Sequence, residues 1–422
     1  MRIALLSETF SSKMGYLETR LPKYLARLGA EVHVVAMDLP PYYQTTDFKE
    51  TYGDFAEQFG AGTVESRDGY TLHIVGHRNV GGHMRMRGLR QKLSAVRPDI
   101  VQTMVPIGWI PLEAALWKQY MGYKLFTGSH HHASVFPLAA NNPHSWSARR
   151  LRCTATRTIP GRLIGLATEK CYAITEDCAD IATQFFGVPP AKIDICPLGV
   201  DTELFHPIAG ARESADRAAL RGRLGFSQGD VVCIYTGRFS NDKNPLLLAQ
   251  AVADLRKRGE PYCALFVGNG VQKEEIQKLS GCVLHPFVPV WELGALFRAA
   301  DIGVWPTQES LSMLDAAACG LPIVANHTMT ASERLNGNGK KYQLNHREDL
   351  VRVLFGLRDA EIRADMGAHG AQKMAREFSW DAIAAKRVDD YLLALESSRR
   401  LRERQSSAEL LGKAESASRG NQ

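Results

Sequence analysis

At 422 residues the chain is too long for one compact core and suits two ordinary domains, so a cleft between them is expected. The formal charge of +6 is unevenly spread: residues 78–170 hold 14 Lys and Arg against Asp99, Glu113 and Glu169, which points to an anionic partner or surface. No apolar run approaches the roughly 18 residues that cross a bilayer, the 8 Cys show neither a Cys-x-x-Cys pair nor a Cys/His zinc spacing, and the opening MRIALLSE lacks the regions of a leader. A cytoplasmic protein with reduced thiols is the expectation.

The chain starts with a continuous apolar strand, RIALLSE, then a polar loop, TFSSKMGY. Leu17, Leu21, Leu25 and Leu28 follow at helical spacing until Gly29 ends the pattern, and EVHVVAM is the second strand. Two strands joined through a helix pair in parallel. The runs TLHIVG, DIVQTMV, YKLFTGS, CYAITE and KIDICPLGV alternate with helical segments and continue a doubly wound domain over residues 1–206. A second such series, residues 207–378, holds DVVCIYTGRF, PYCALFVGNG, VLHPFV, DIGVWPT and LPIVAN as strands. The amphipathic SWDAIAAKRVDDYLLALES predicts a helix over 379–398, and the charged, aromatic-poor residues 399–422 read as a disordered tail.

Arg238 and Lys243 in TGRFSNDKNP fall at the carboxyl edge of the second sheet, where open α/β folds bind ligands. A rigid guanidinium fork and a mobile ammonium together suit a diphosphate; the competing reading is two solvated loop charges. In PTQESLSM a strand turns into a helix, so the free N–H groups of Ser310, Leu311, Ser312 and Met313 are offered to a phosphate. Glu309, an acceptor-only side chain, would serve sugar hydroxyls rather than phosphate, against the reading of an exposed loop residue. Asp315 has two readings, a ribose contact or the second half of a capping box begun by Ser312. Gly320-Leu321-Pro322 is a structural helix stop, and the VGNG at Val267–Gly270 reads as a tight turn.

Taken together, PLGVDTELFHP, TGRFSNDKNP, ESLSMLDAAACGLPIVA and FSWDAIA resemble the retaining glycosyltransferases of family 4. The resemblance implies the GT-B fold, two facing Rossmann-like domains of doubly wound parallel sheet, with a C-terminal helix crossing back to the first domain. It also implies roles: Arg238 and Lys243 neutralise the donor diphosphate, Glu309 contacts the transferred sugar and Asp315 the ribose. Gly15, in the loop after the first strand, would offer backbone N–H groups to the donor phosphate, and His130, in GSHHHASVF, would lie near the reacting centre. This chain departs from the family's E-x7-E pattern: five residues separate Glu309 from Asp315, Asp replaces the second Glu, and Ser-Leu-Ser stands where Gly-Phe-Gly is usual.

Consecutive side chains on extended backbone alternate in direction, so His130, His131 and His132 do not by themselves form a three-ligand metal site. His131 and His132 read as solvated or packed loop residues, and no metal and no cofactor is expected. The basic stretches HMRMRGLRQKLSAVR and SWSARRLRCTATRTIPGR carry no RNA-binding signature, which sets nucleic acid aside. A solvated face, or the inner face of an anionic membrane reached as a peripheral protein, remains. The expected function is a metal-independent, retaining hexosyl transfer in polysaccharide biosynthesis, from a UDP- or GDP-linked nucleotide sugar to a cell-envelope saccharide or lipid-linked acceptor. Two alternatives stand beside it, a non-catalytic nucleotide-sugar-binding subunit and a GT-B epimerase or phosphorylase.

Overall fold

The computed structural model describes residues 1–45, 48–133, 136, 138, 147–329 and 332–419. In the first domain β1 (Arg2–Ser7), β2 (Glu31–Met37), β3 (Val64–Arg67) and β4 (Tyr70–Val75) precede a small hairpin of β5 (His77–Val80) and β6 (His83–Met86). Then come β7 (Ile100–Thr103), β8 (Lys124–Ser129), β9 (Thr168–Ala173) and β10 (Ile193–Ile195). The main sheet runs β10-β9-β8-β7-β1-β2-β4-β3 and is parallel except for β3. The second domain carries β11 (Val231–Thr236), β12 (Tyr262–Val267), β13 (Cys282–His285), β14 (Ile302–Trp305), β15 (Ile323–Asn326) and β16 (Gly339–Tyr342), all parallel in the order β13-β12-β11-β14-β15-β16.

Helices cover both faces of each sheet, so the central strands are apolar throughout: every residue of β11 and β12 is buried. Strand order reverses at β1, flanked by β2 and β7, and at β11, flanked by β12 and β14. Ligands of doubly wound sheets enter outside the carboxyl ends at such reversals. The loops found there are those holding Gly15 after β1, Arg238 and Lys243 after β11, and Glu309 to Leu311 after β14; His130 follows β8.

The chain returns to the first domain through a backbone bridge, with Val200 N donating to Phe378 O at 2.7 Å and Trp380 N to Val200 O at 3.0 Å. Gly199 is required here, because a Cβ would stand 2.6 Å from the Trp380 ring. The last helix, Trp380–Arg419, buries Trp380, Ile383, Ala384 and Tyr391 in the first-domain core with Phe126, Tyr172 and Leu198. Its backbone continues through residues 399–419, the stretch that composition sets apart as a tail. Among the described residues no helix is long and apolar enough to cross a membrane.

Candidate functional site

The loop after β11 is shaped by two glycines on the neighbouring strand end. A Cβ on Gly268 would stand 1.9 Å from Gly237 O, and one on Gly270 would stand 2.9 Å from Phe239 N and O. VGNG is therefore a close backbone approach as well as a turn, and it seats the segment carrying Arg238. Phe239 N donates to Asn269 O at 2.8 Å and the Tyr235 hydroxyl to Arg238 O at 2.8 Å. The Arg238 guanidinium pairs with Asp242 at 3.2 Å, and its side chain is partly exposed.

Lys243 lies beneath the loop after β14 and donates to Glu309 O at 3.2 Å. Burial brings its ammonium down to about 8; Asp242 and Glu309 oppose that shift, and Arg238 reinforces it. The Glu309 loop is held from below by residues that no local motif reveals. Asn326 Nδ2 donates to Pro306 O and Thr307 O at 3.0 and 2.9 Å, and the Tyr342 hydroxyl donates to Pro306 O at 2.7 Å. Thr236 Oγ1 donates to Ser312 Oγ at 2.7 Å, and Ser312 Oγ shares a hydrogen with Ser310 Oγ at 2.8 Å. These contacts bring Arg238, Lys243, Glu309, Ser310 and Ser312 to one edge of the sheet.

The helix starts at Ser312 with Leu311 as its cap residue and no side-chain capping bond, so the capping box proposed for Ser312 and Asp315 does not form. Asp315 instead feels the charges of Arg20 on the first helix and of Asp201. Burial lifts its carboxyl to about 8; Arg20 opposes the shift and Asp201 adds to it. Arg20 and Lys23 themselves bind Asp201 at 3.0 and 3.1 Å, so the linker motif PLGVD is anchored on the first helix, Leu17–Arg27. Met313 is buried in the second-domain core, while Leu311 packs against the cores of both domains.

On the opposite wall, Gly15 has φ +64° and lies so close to the second domain that a Cβ would stand 2.6 Å from Val290 Cγ2. Val290 N donates to Lys13 O at 2.8 Å, which closes the Gly15 loop over the start of the Val290–Ala299 helix. His130 has neighbours on the first-domain side. Its Nε2 stands 3.1 Å from where a Gly128 Cβ would be and has no hydrogen-bond partner among the described residues. Burial, then Arg387, His131 and His132, lower the imidazole to about 3, so it is neutral at physiological pH. His131 meets Phe186 edge-on at 5.2 Å, and His132 binds Asp177 at 3.2 Å, so the three rings do diverge. The basic stretch 78–170 is partly paired: Arg85 meets Glu113, Lys118 and Lys124 meet Glu169, and Arg90 lies over Trp117.

Comparison with known proteins follows the same division. A model described as glycosyltransferase family 4 matches residues 19–204, and one described as glycosyl transferases group 1 matches residues 230–354. The D-inositol 3-phosphate glycosyltransferase of Streptomyces griseus is 30% identical over 275 residues, covering 58% of this chain and 58% of that protein. The Streptomyces coelicolor enzyme of the same name is 30% identical over 274 residues, covering 58% of this chain and 60% of that protein. The chain thus spans about three fifths of the length of these relatives. Among solved structures, sucrose-phosphate synthase of Thermosynechococcus elongatus superposes with TM-score 0.69 at 14% identity, over 94% of this chain and 99% of that one. Anabaena HepE in complex with UDP-glucose gives 0.63 at 16%, over 94% and 100%. With matches to both halves and the two-sheet fold in agreement, the chain belongs to the glycosyltransferases, with the GT-B fold, a family 4 first domain and a group 1 second domain.

Proposed function

We propose that this protein transfers a hexosyl group from a nucleoside diphosphate sugar, with retention of configuration and without a divalent ion, to a saccharide or lipid-linked acceptor on the first domain. The observation that carries the reading is the arrangement of Arg238 and Lys243 with the Ser310–Met313 backbone at the switch point of the second sheet. Negative charge grows on the β-phosphate as the glycosidic bond opens. Fixed cations and amides already aimed at that place stabilise it without reorganising. Solved relatives of the same fold that hold UDP or UDP-glucose support a nucleotide-sugar donor.

Retention places acceptor and leaving group on one face of the sugar, so the departing phosphate takes the acceptor proton. His130, neutral, hydrogen-bonds the sugar or the leaving group rather than acting as base. Glu309 accepts from sugar hydroxyls and Asp315 faces the ribose. Incubation with UDP- and GDP-hexoses, without added magnesium or manganese, tests the proposal against saccharide, lipid-linked and inositol phosphate acceptors. The product is expected to keep the anomeric configuration of the donor by NMR. An inverted product would overturn the mechanism, and a changed donor sugar in the absence of acceptor would establish an epimerase instead.

The acceptor side fits a lipid surface. Leu116 and Tyr120 on the Trp109–Met121 helix, and Ile159, Leu163 and Leu166 on the Ile159–Ala167 helix, are each more than half exposed, with Arg152 and Arg162 exposed beside them. Apolar stripes bordered by cations are the composition of an interfacial docking face. Leu163→Asp with Leu166→Asp is expected to abolish co-sedimentation with anionic phospholipid vesicles, while transfer to a water-soluble acceptor persists.

A further inference from the structure

Beside the cleft, three side chains from two elements converge on a single point. His132, three residues beyond the end of β8, and Asp177 and Cys178, at the start of the Glu176–Gln184 helix, place Nδ1, a carboxylate oxygen and Sγ all within 4.8 Å of one another. Nδ1 lies 3.2 Å from Asp177 Oδ2 and 3.7 Å from Cys178 Sγ. Bonds of about 2.0–2.3 Å at tetrahedral angles around zinc set ligand atoms about 3.3–3.6 Å apart, close to both separations.

Hydrogen bonding alone accounts poorly for this convergence. One imidazole nitrogen carries at most one hydrogen, yet Nδ1 faces an oxygen and a sulfur together. Asp177 is meanwhile fixed by other donors, with Oδ2 accepting from Ala133 N at 2.9 Å and Oδ1 from Thr175 Oγ1 at 2.5 Å. The Cys178 thiol is fully buried, whereas the His132 and Asp177 side chains are 18% and 20% exposed, which leaves one side open to solvent for a fourth ligand.

We propose that His132, Asp177 and Cys178 form a cation site for zinc, with water as the fourth ligand. Imidazole, thiolate and carboxylate together suit zinc rather than magnesium or calcium. Binding replaces the ring proton and the thiol proton, both of which pass to solvent. The ion ties the loop after β8 to the Glu176–Gln184 helix and fixes the backbone two residues beyond His130. Its role is structural, so the chemistry at Arg238 and Lys243 does not run through it. Spacing along the chain conceals such a site, because one ligand comes from a histidine run and two come from a helix start 45 residues away.

The test uses full-length protein without a polyhistidine tag, and its readout does not depend on sugar transfer. Zinc is expected to bind at one ion per chain in competition with a chromophoric chelator, and cobalt in its place is expected to give a thiolate-to-metal charge-transfer band in the near ultraviolet. Cys178→Ser and His132→Gln are expected to remove that band and weaken zinc binding by about 100-fold or more, while His131→Gln leaves both intact. A cobalt-loaded wild-type protein without the thiolate band overturns the proposal whether or not the variants fold. So does zinc held equally well by Cys178→Ser.

Discussion

Lys243 illustrates how burial tunes a cation. Its ammonium, brought down to about 8, is mostly charged at pH 7 and loses its proton as the pH passes through 8. If the donor diphosphate binds the charged form, as the proposed function requires, kcat/KM for the donor is expected to fall above pH 8. In Lys243→Arg that alkaline limb should disappear, because a guanidinium stays protonated; a limb that persists unchanged would assign the titration to another group. Under the proposed mechanism, Arg238→Ala and Lys243→Ala are each expected to cut turnover about 100-fold or more, with melting temperatures near wild type, since neither side chain belongs to the core clusters. Near-normal turnover in both variants would remove the electrostatic mechanism.

The short helix Ser312–Ala318 shows what is gained when an element's ends are seen. Sequence alone leaves Asp315 between a cap and a ribose ligand; the uncapped start at Leu311 removes the first choice. An acid lifted from the usual range to about 8 holds its proton in the folded protein and loses it in the unfolded one. Stability therefore declines as the pH rises from about 4 to about 8. Asp315→Asn is expected to match wild type in melting temperature near pH 4 and to exceed it at pH 8. Asp315→Ala should do the same while weakening nucleotide binding, and unchanged nucleotide affinity would exclude the ribose role. The same contrast explains which strands could be read. Strands of the inner sheets such as β1, β11 and β12 announce themselves as unbroken apolar runs because both faces are covered. The edge strands β3 and β16 and the hairpin strand β5 show polar or mixed burial and carry no such signal. Arg238 and Lys243 were legible because their position after a strand is local. Asn326 and Tyr342, which hold the Glu309 loop across the sheet, depend on strand order and were not.

At the scale of the whole molecule, aromatic and backbone contacts among the described residues join the two domains across the cleft. Phe287 stacks on Tyr52 at 5.4 Å and on Phe55 at 5.5 Å, Val290 N binds Lys13 O, and Glu57 accepts from Ser12 N at 2.7 Å, which ties the residues after β1 to the segment that carries the aromatic rings. The hinge, by contrast, is covalently continuous and firmly packed, with Trp380 against Gly199 and Asp201 held by Arg20 and Lys23. A transferase that opens to admit its donor and closes to exclude water needs this asymmetry, a stable hinge and a weak clasp. Phe287→Ala removes the ring shared by both stacks without touching Arg238, Lys243 or His130. The variant is expected to keep its melting temperature within a few degrees, to show a larger radius of gyration by small-angle scattering, and to divide turnover differently, with donor hydrolysis gaining several-fold on transfer. An unchanged ratio of hydrolysis to transfer together with an enlarged radius would mean that the clasp sets the shape of the molecule without guarding the reaction from water, and the exclusion of water would then have to come from the acceptor itself.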